Sequence, residues 1–83
     1  LQINPAYIPA LIDMGSLSAG QGKLATAIQY FSKALALEPS NASAHYNLAM
    51  VYQMQGRTVE AEQEMGKFRE AAASAEQDGN VFR

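Results

Sequence analysis

His45 is the one histidine of the chain, and it stands in the stretch KALALEPSNASAHYNLA, residues 33–49, between a Pro-Ser-Asn break and the pair Tyr46 and Asn47. Imidazole exchanges protons near neutral pH, so general acid–base chemistry would start there. That chemistry needs a partner within hydrogen-bond reach. On a helix the neighbours one turn from His45 are Asn41 and Ala49, and neither is a carboxylate. Glu60 and Glu64 would share one helix face and could bracket a cation. A solvated acidic face is the simpler reading, because glutamates in the first turns also suit the positive end of the helix dipole. Zinc asks for several convergent ligands, which one histidine and no cysteine do not supply. Gly20, Gly22 and Lys23 in SAGQGKL have the composition of a phosphate loop, but no strand precedes them and the spacing is not that of a Walker motif, which leaves turn glycines. The serines have no candidate base, so no nucleophilic triad can be assembled. The expectation is therefore no enzyme, no metal and no cofactor in this stretch.

With chemistry set aside, composition bounds what else the chain can do. Its 83 residues make one domain or part of one, and at 48% hydrophobic content a core can form. So short a chain buries a small share of its surface and stands close to the margin of stability. The formal net charge is −2, and no basic stripe exists to displace counterions from nucleic acid, so a nucleic-acid partner is not expected. No segment approaches the roughly 18 apolar residues of a membrane span, so a membrane partner is not expected either. The lack of cysteine removes disulfides and leaves the compartment open, with the cytoplasm only as a default.

Four helices are predicted. Leu24, Ala27, Ile28, Phe31, Ala34 and Leu35 recur at three- and four-residue spacing, which predicts a helix over about 24–37. Ala44, Leu48, Val51 and Tyr52 repeat the pattern up to Gly56, and Ala61, Met65, Phe68, Ala72 and Ala75 carry it through a longer last helix. Ala10, Leu11, Met14, Leu17 and Ser18 make the first, closed by Gly20 and Gly22. Asn41 is the expected cap of the third helix and Thr58 of the fourth, while Pro9 suits a first helical turn. No window alternates with period two, so the fold class is all-α.

Laid on itself at an offset of 34, the chain aligns Leu1 with Leu35, Pro5 with Pro39, Gln21 with Gln55, Gly22 with Gly56, Ala27 with Ala61 and Lys33 with Lys67. Similar pairs join them, among them Ile3 with Leu37, Met14 with Leu48, Leu17 with Val51 and Phe31 with Met65. This period and these residues resemble the tetratricopeptide repeat, a 34-residue helix-turn-helix that stacks into a right-handed superhelix. The matching residues are Gly15, Ala27, Phe31, Ala34 and Pro39 in the first repeat and Leu48, Ala49, Tyr52 and Ala61 in the second. Leu11 and His45 hold the place of the family's tryptophan, which gives His45 a packing role. Ser18 replaces its tyrosine, and Ala73 stands where a closing proline would be. Without that proline the last helix is expected to run to about Gln77, before Asp78-Gly79-Asn80.

The resemblance divides the chain into 1–7 as the tail of a preceding repeat, 8–41 as a first repeat, 42–75 as a second with an extended helix, and 76–83 as a tail. These would be the last two repeats of a longer array. It also implies that the first helix of each pair lines a concave groove for an extended peptide or a partner helix. By register the groove positions are Pro9, Ile12, Asp13, Ser16 and Ala19, then Ser43, Tyr46, Asn47, Met50, Gln53 and Met54. Asn47 matches a position that hydrogen-bonds a bound peptide's backbone, while Tyr46, Met50 and Met54, with Ile12, form an apolar strip suited to adaptable contact. Ile12 and Ser16 occupy places where a carboxylate clamp needs a cation and an asparagine, so an acidic chaperone tail is not the expected ligand. The function expected is protein or peptide binding in an apolar groove. The alternative is an assembly segment whose open ends pair with another copy, giving a homodimer.

Overall fold

The computed structural model describes the backbone of residues 7–79 and the side chains of residues 7–74. The segment Leu1 to Pro5, read above as the end of a preceding repeat, lies outside the described residues. Four helices follow one another, α1 Tyr7–Gly20, α2 Leu24–Leu37, α3 Ala42–Met54 and α4 Thr58–Gly79, with no strand among the described residues. Each packs on the next in order, and α1 also touches α3. The fold is all-α, as expected.

The two turns inside the helix pairs are built alike. Gly22 and Gly56 take φ of 81° and 76°, a left-handed conformation that costs glycine little because it has no Cβ. In both, the residue after the glycine donates its N–H back five residues at 2.8 Å, Lys23 to Ser18 and Arg57 to Tyr52, which satisfies carbonyls at the end of the outgoing helix. Lys23 and Arg57 then accept the first bond of the next helix through their own carbonyls, from Ala27 and Ala61. Thr58 is therefore not the cap of α4: it is the first helical residue, and Arg57 fills the cap position ahead of it. Asn41 does cap α3, its side-chain oxygen accepting the Ala44 N–H at 2.8 Å. Helix α4 has 22 residues against 14 in α2 and continues to Gly79, two residues past the expected end and into the segment read as a tail. The place 34 residues after Pro39 is Ala73, a good helix former that keeps its backbone N–H, so nothing there stops the ladder.

The core sits where small residues let helices approach. Ala27, Phe31, Leu48 and Val51 form one buried cluster and Leu11, Ala34 and Ala44 another, so α2 contributes to both. A Cβ added to Gly15 would lie 2.6 Å from Cε1 of Phe31, a ring that is only 1% exposed and has nowhere to swing. Ala61 is buried as Ala27 is, whereas Tyr52 and Met65 fill their places half-buried.

His45 closes the joint between the pairs. It is buried on α3, with Nδ1 2.7 Å from Oε1 of Glu64 on α4 and Nε2 2.8 Å from the carbonyl oxygen of Pro39 in the turn before α3. Both ring nitrogens thus face oxygens. The carboxylate missing from the helical neighbours of His45 is supplied by the next helix. In the first pair the equivalent residues are Leu11 and Tyr30, and there Tyr30 packs against the apolar cluster that contains Leu11.

Two predictions follow from this packing. Ala27→Leu overfills the space beside Phe31 and should lower the unfolding free energy by about 1 to 3 kcal/mol in urea titration; Ala25→Leu, on the exposed side of α2, should change it by less than about 0.5 kcal/mol. His45→Leu removes the shorter of two side-chain contacts of the mostly buried Glu64 carboxylate and should cost about 1 to 3 kcal/mol, and most of that loss should return in a His45→Leu, Glu64→Tyr double variant that copies Leu11 and Tyr30. Additive costs in the double variant would show that the two positions do not act as one contact.

Candidate functional site

Helices α1 and α3 carry the groove residues, and three- and four-residue spacing along each sets which of them point the same way. Between the two helices is a hollow of about 280 Å³ lined by Ser16, Ala19 and Gly20 from α1, Asn47, Met50, Val51 and Met54 from α3, and the edge of Phe31. Its base is core, since Phe31 and Val51 are buried, and its rim holds Met50 and Met54, both exposed. Asn47 is half-buried, and its amide makes no side-chain hydrogen bond among the described residues. The lining carries an amide and a hydroxyl and no charged side chain. Such a surface can pair with a peptide backbone and bury apolar side chains, and it offers nothing to neutralise a carboxylate.

Of the eleven groove positions, Ser16, Ala19, Asn47, Met50 and Met54 line the hollow, and the other six are placed differently. Ile12 is half-buried and packs against both core clusters. Tyr46 stays exposed along one edge, but its ring meets Phe68 of α4 with centroids 5.3 Å apart and planes tilted by 55°. Gln53 is exposed and outside the hollow, as are Pro9, Asp13 and Ser43. The contact of Tyr46 with Phe68 was not foreseen, and one signal existed: Phe68 stands 34 residues after Ala34, where the repeat has a small residue.

Glu60 and Glu64 are both engaged by side chains of the chain itself. Glu64 holds His45 and has Nζ of Lys67 3.5 Å from its other oxygen, while Glu60 pairs with Arg57 at 3.4 Å. Arg57 also lies over the Tyr52 ring, 4.7 Å from its centroid. The two glutamates do not bracket a cation, and Glu64 is no part of a solvated face, because the chain's own His45 and Lys67 occupy it. Among the described residues no three or more His, Cys, Asp or Glu side chains converge as a metal site would require. A second hollow of about 550 Å³, lined by Leu35, Pro39, His45, Glu64, Lys67 and neighbouring residues, shares no residue with the first and is open to solvent.

These features agree with what the chain is similar to. A family model described as TPR repeat matches residues 15–56. Tetratricopeptide repeat protein 6 of Homo sapiens is 34% identical over 76 residues, covering 92% of this chain and 15% of the relative, so the chain spans a small part of that protein's length. With two helix pairs in a 34-residue register, glycine turns of one geometry and this similarity over most of its length, the chain belongs to the tetratricopeptide repeat family.

Proposed function

We propose that this chain is a protein-interaction module that holds an extended peptide or a partner helix against α1 and α3. Members of the family generally mediate contacts between proteins, which supports the broad class. The observation that carries the finer reading is the hollow beside Asn47, where an amide with no side-chain hydrogen bond among the described residues sits among Met50, Met54 and Phe31. An amide with both donor and acceptor free pairs with one peptide unit, and thioether side chains adapt to different apolar partners. The ligand is apolar and uncharged where it meets the hollow. Ile12, Tyr46 and Gln53 lie outside the hollow and would meet only a ligand that extends beyond it.

The test is selection from a random peptide library on the immobilised chain, followed by affinity measurement on variants. Peptides should be recovered with apolar side chains, and Asn47→Ala should weaken them about tenfold, near 1.4 kcal/mol, with Met50→Ser acting in the same direction. Asn47 is half-buried and Met50 exposed, so circular dichroism should show both variants folded. Selected peptides that bind both variants as tightly as the parent would place the binding surface elsewhere.

A further inference from the structure

The hollow between α1 and α3 has no charged side chain in its lining, and two thioethers stand at its rim. Met50 and Met54 lie four residues apart on one face of α3 and are 38% and 60% exposed, so their sulfur atoms are open to small solutes. Of the other two methionines in the sequence, Met65 is half-buried on α4, and Met14 is exposed on α1 but outside the hollow. There is no cysteine, so methionine is the only sulfur that an oxidant can meet in this chain. Neither buried core cluster contains a methionine. The oxidisable atoms are thus concentrated on the binding surface and absent from the buried clusters that shape it.

We propose that Met50 and Met54 make the groove redox-sensitive: a peroxide converts them to sulfoxides, and the bound peptide is released. The proposal rests on the peptide-binding groove described above and adds its regulation. In the forward step the thioether sulfur attacks one oxygen of the peroxide and the O–O bond breaks. That oxygen stays on sulfur and the other leaves as water or an alcohol, so sulfur is oxidised by two electrons and the peroxide is reduced by two. A dithiol reverses the step through a methionine sulfoxide reductase: the sulfoxide oxygen leaves as water and the dithiol ends as a disulfide. The thioether is a weak acceptor that suits an apolar ligand, whereas the sulfoxide is strongly polar and must be desolvated when an apolar side chain covers it. No charged side chain of the lining is there to pair with it. Met50 is also three residues from Asn47, a neighbouring position on the helix surface, so its sulfoxide oxygen can accept a hydrogen bond from the Asn47 amide and compete with a peptide carbonyl for that donor. Phe31 and Val51, buried beneath the rim, carry no sulfur, so oxidation changes the surface and leaves the packing of α2 on α3 in place.

The experiment uses peptides free of methionine, cysteine and tryptophan, selected on the reduced 83-residue chain. After treatment with hydrogen peroxide, mass spectrometry of proteolytic fragments should find one added oxygen on Met50 and on Met54 before Met65. The oxidised chain should bind the peptides about tenfold more weakly with its circular dichroism unchanged, and reductases for the two sulfoxide epimers, supplied with dithiothreitol, should restore the affinity. Peptides selected on a Met50→Leu, Met54→Leu variant should keep their affinity for that variant within about twofold through the same treatment, because no thioether is left at the rim. Met14→Leu, outside the hollow, should remain as sensitive to peroxide as the parent. An oxidised parent that binds as tightly as the reduced one, or an equal loss in the Met50→Leu, Met54→Leu variant, would overturn the proposal and leave the groove standing. A reduced chain that selects no peptide would instead remove the groove itself, and this regulation with it.

Discussion

The close approach of α1 to α2 at Gly15 is the constraint on which the rest of the molecule depends. The Phe31 ring takes the space that any side chain at position 15 would fill, and Ala27 beside it has no bulk to push the helices apart. The same ring meets Leu48 and Val51, so one aromatic side chain sets both the spacing inside the first pair and the seat of α3. Its edge reaches the hollow beside Asn47. The groove is shaped by the core, and a change of spacing at Gly15 would reach the groove through a single residue. Close-packed interiors transmit such displacements because they hold few voids to absorb them.

The second pair reaches the same architecture by other means. Where the first pair has the apolar Leu11 and Tyr30, the second has His45 and Glu64, and Phe31 is answered by the thinner, more flexible Met65. A hydrogen-bonded pair is directional, and His45 uses both ring nitrogens, so α3 is tied at one point to α4 and to the turn at Pro39. Phe68 on Tyr46 adds a second tie. The joint of α3 with α4 is thus held by specific contacts where the joint of α1 with α2 is held by shape.

Much of the fold was legible in the residues. The limits of α2, the cap at Asn41 and the glycine turns at Gly22 and Gly56 depend on side chains acting on their own backbone within a few residues, and local chemistry of that kind is written in sequence order. Thr58 shows the limit of such reasoning: a good capping residue lost the position to Arg57 because the turn geometry set by Gly56 starts the helix one residue earlier. The period of 34 residues carried the stacking, and it carried Ser16, Asn47, Met50 and Met54 into one hollow by register.

The sequence by itself determined the helical class, the order of the elements and the inward faces of α2 and α3, because apolar periodicity and turn residues are properties of short windows. Only the tertiary structure decided which side chains meet across helices. His45 and Glu64 are 19 residues apart, and nothing in the spacing along either helix joins them until α3 and α4 are packed. Tyr46 was turned from a free groove residue into a partner of Phe68 in the same way, and the bareness of Met14 and Leu17 beside the burial of their equivalents Leu48 and Val51 appears only once it is known which helix lies over which. Two identical apolar patterns give no sign in sequence of which is covered, because burial belongs to the pair of surfaces and not to either one.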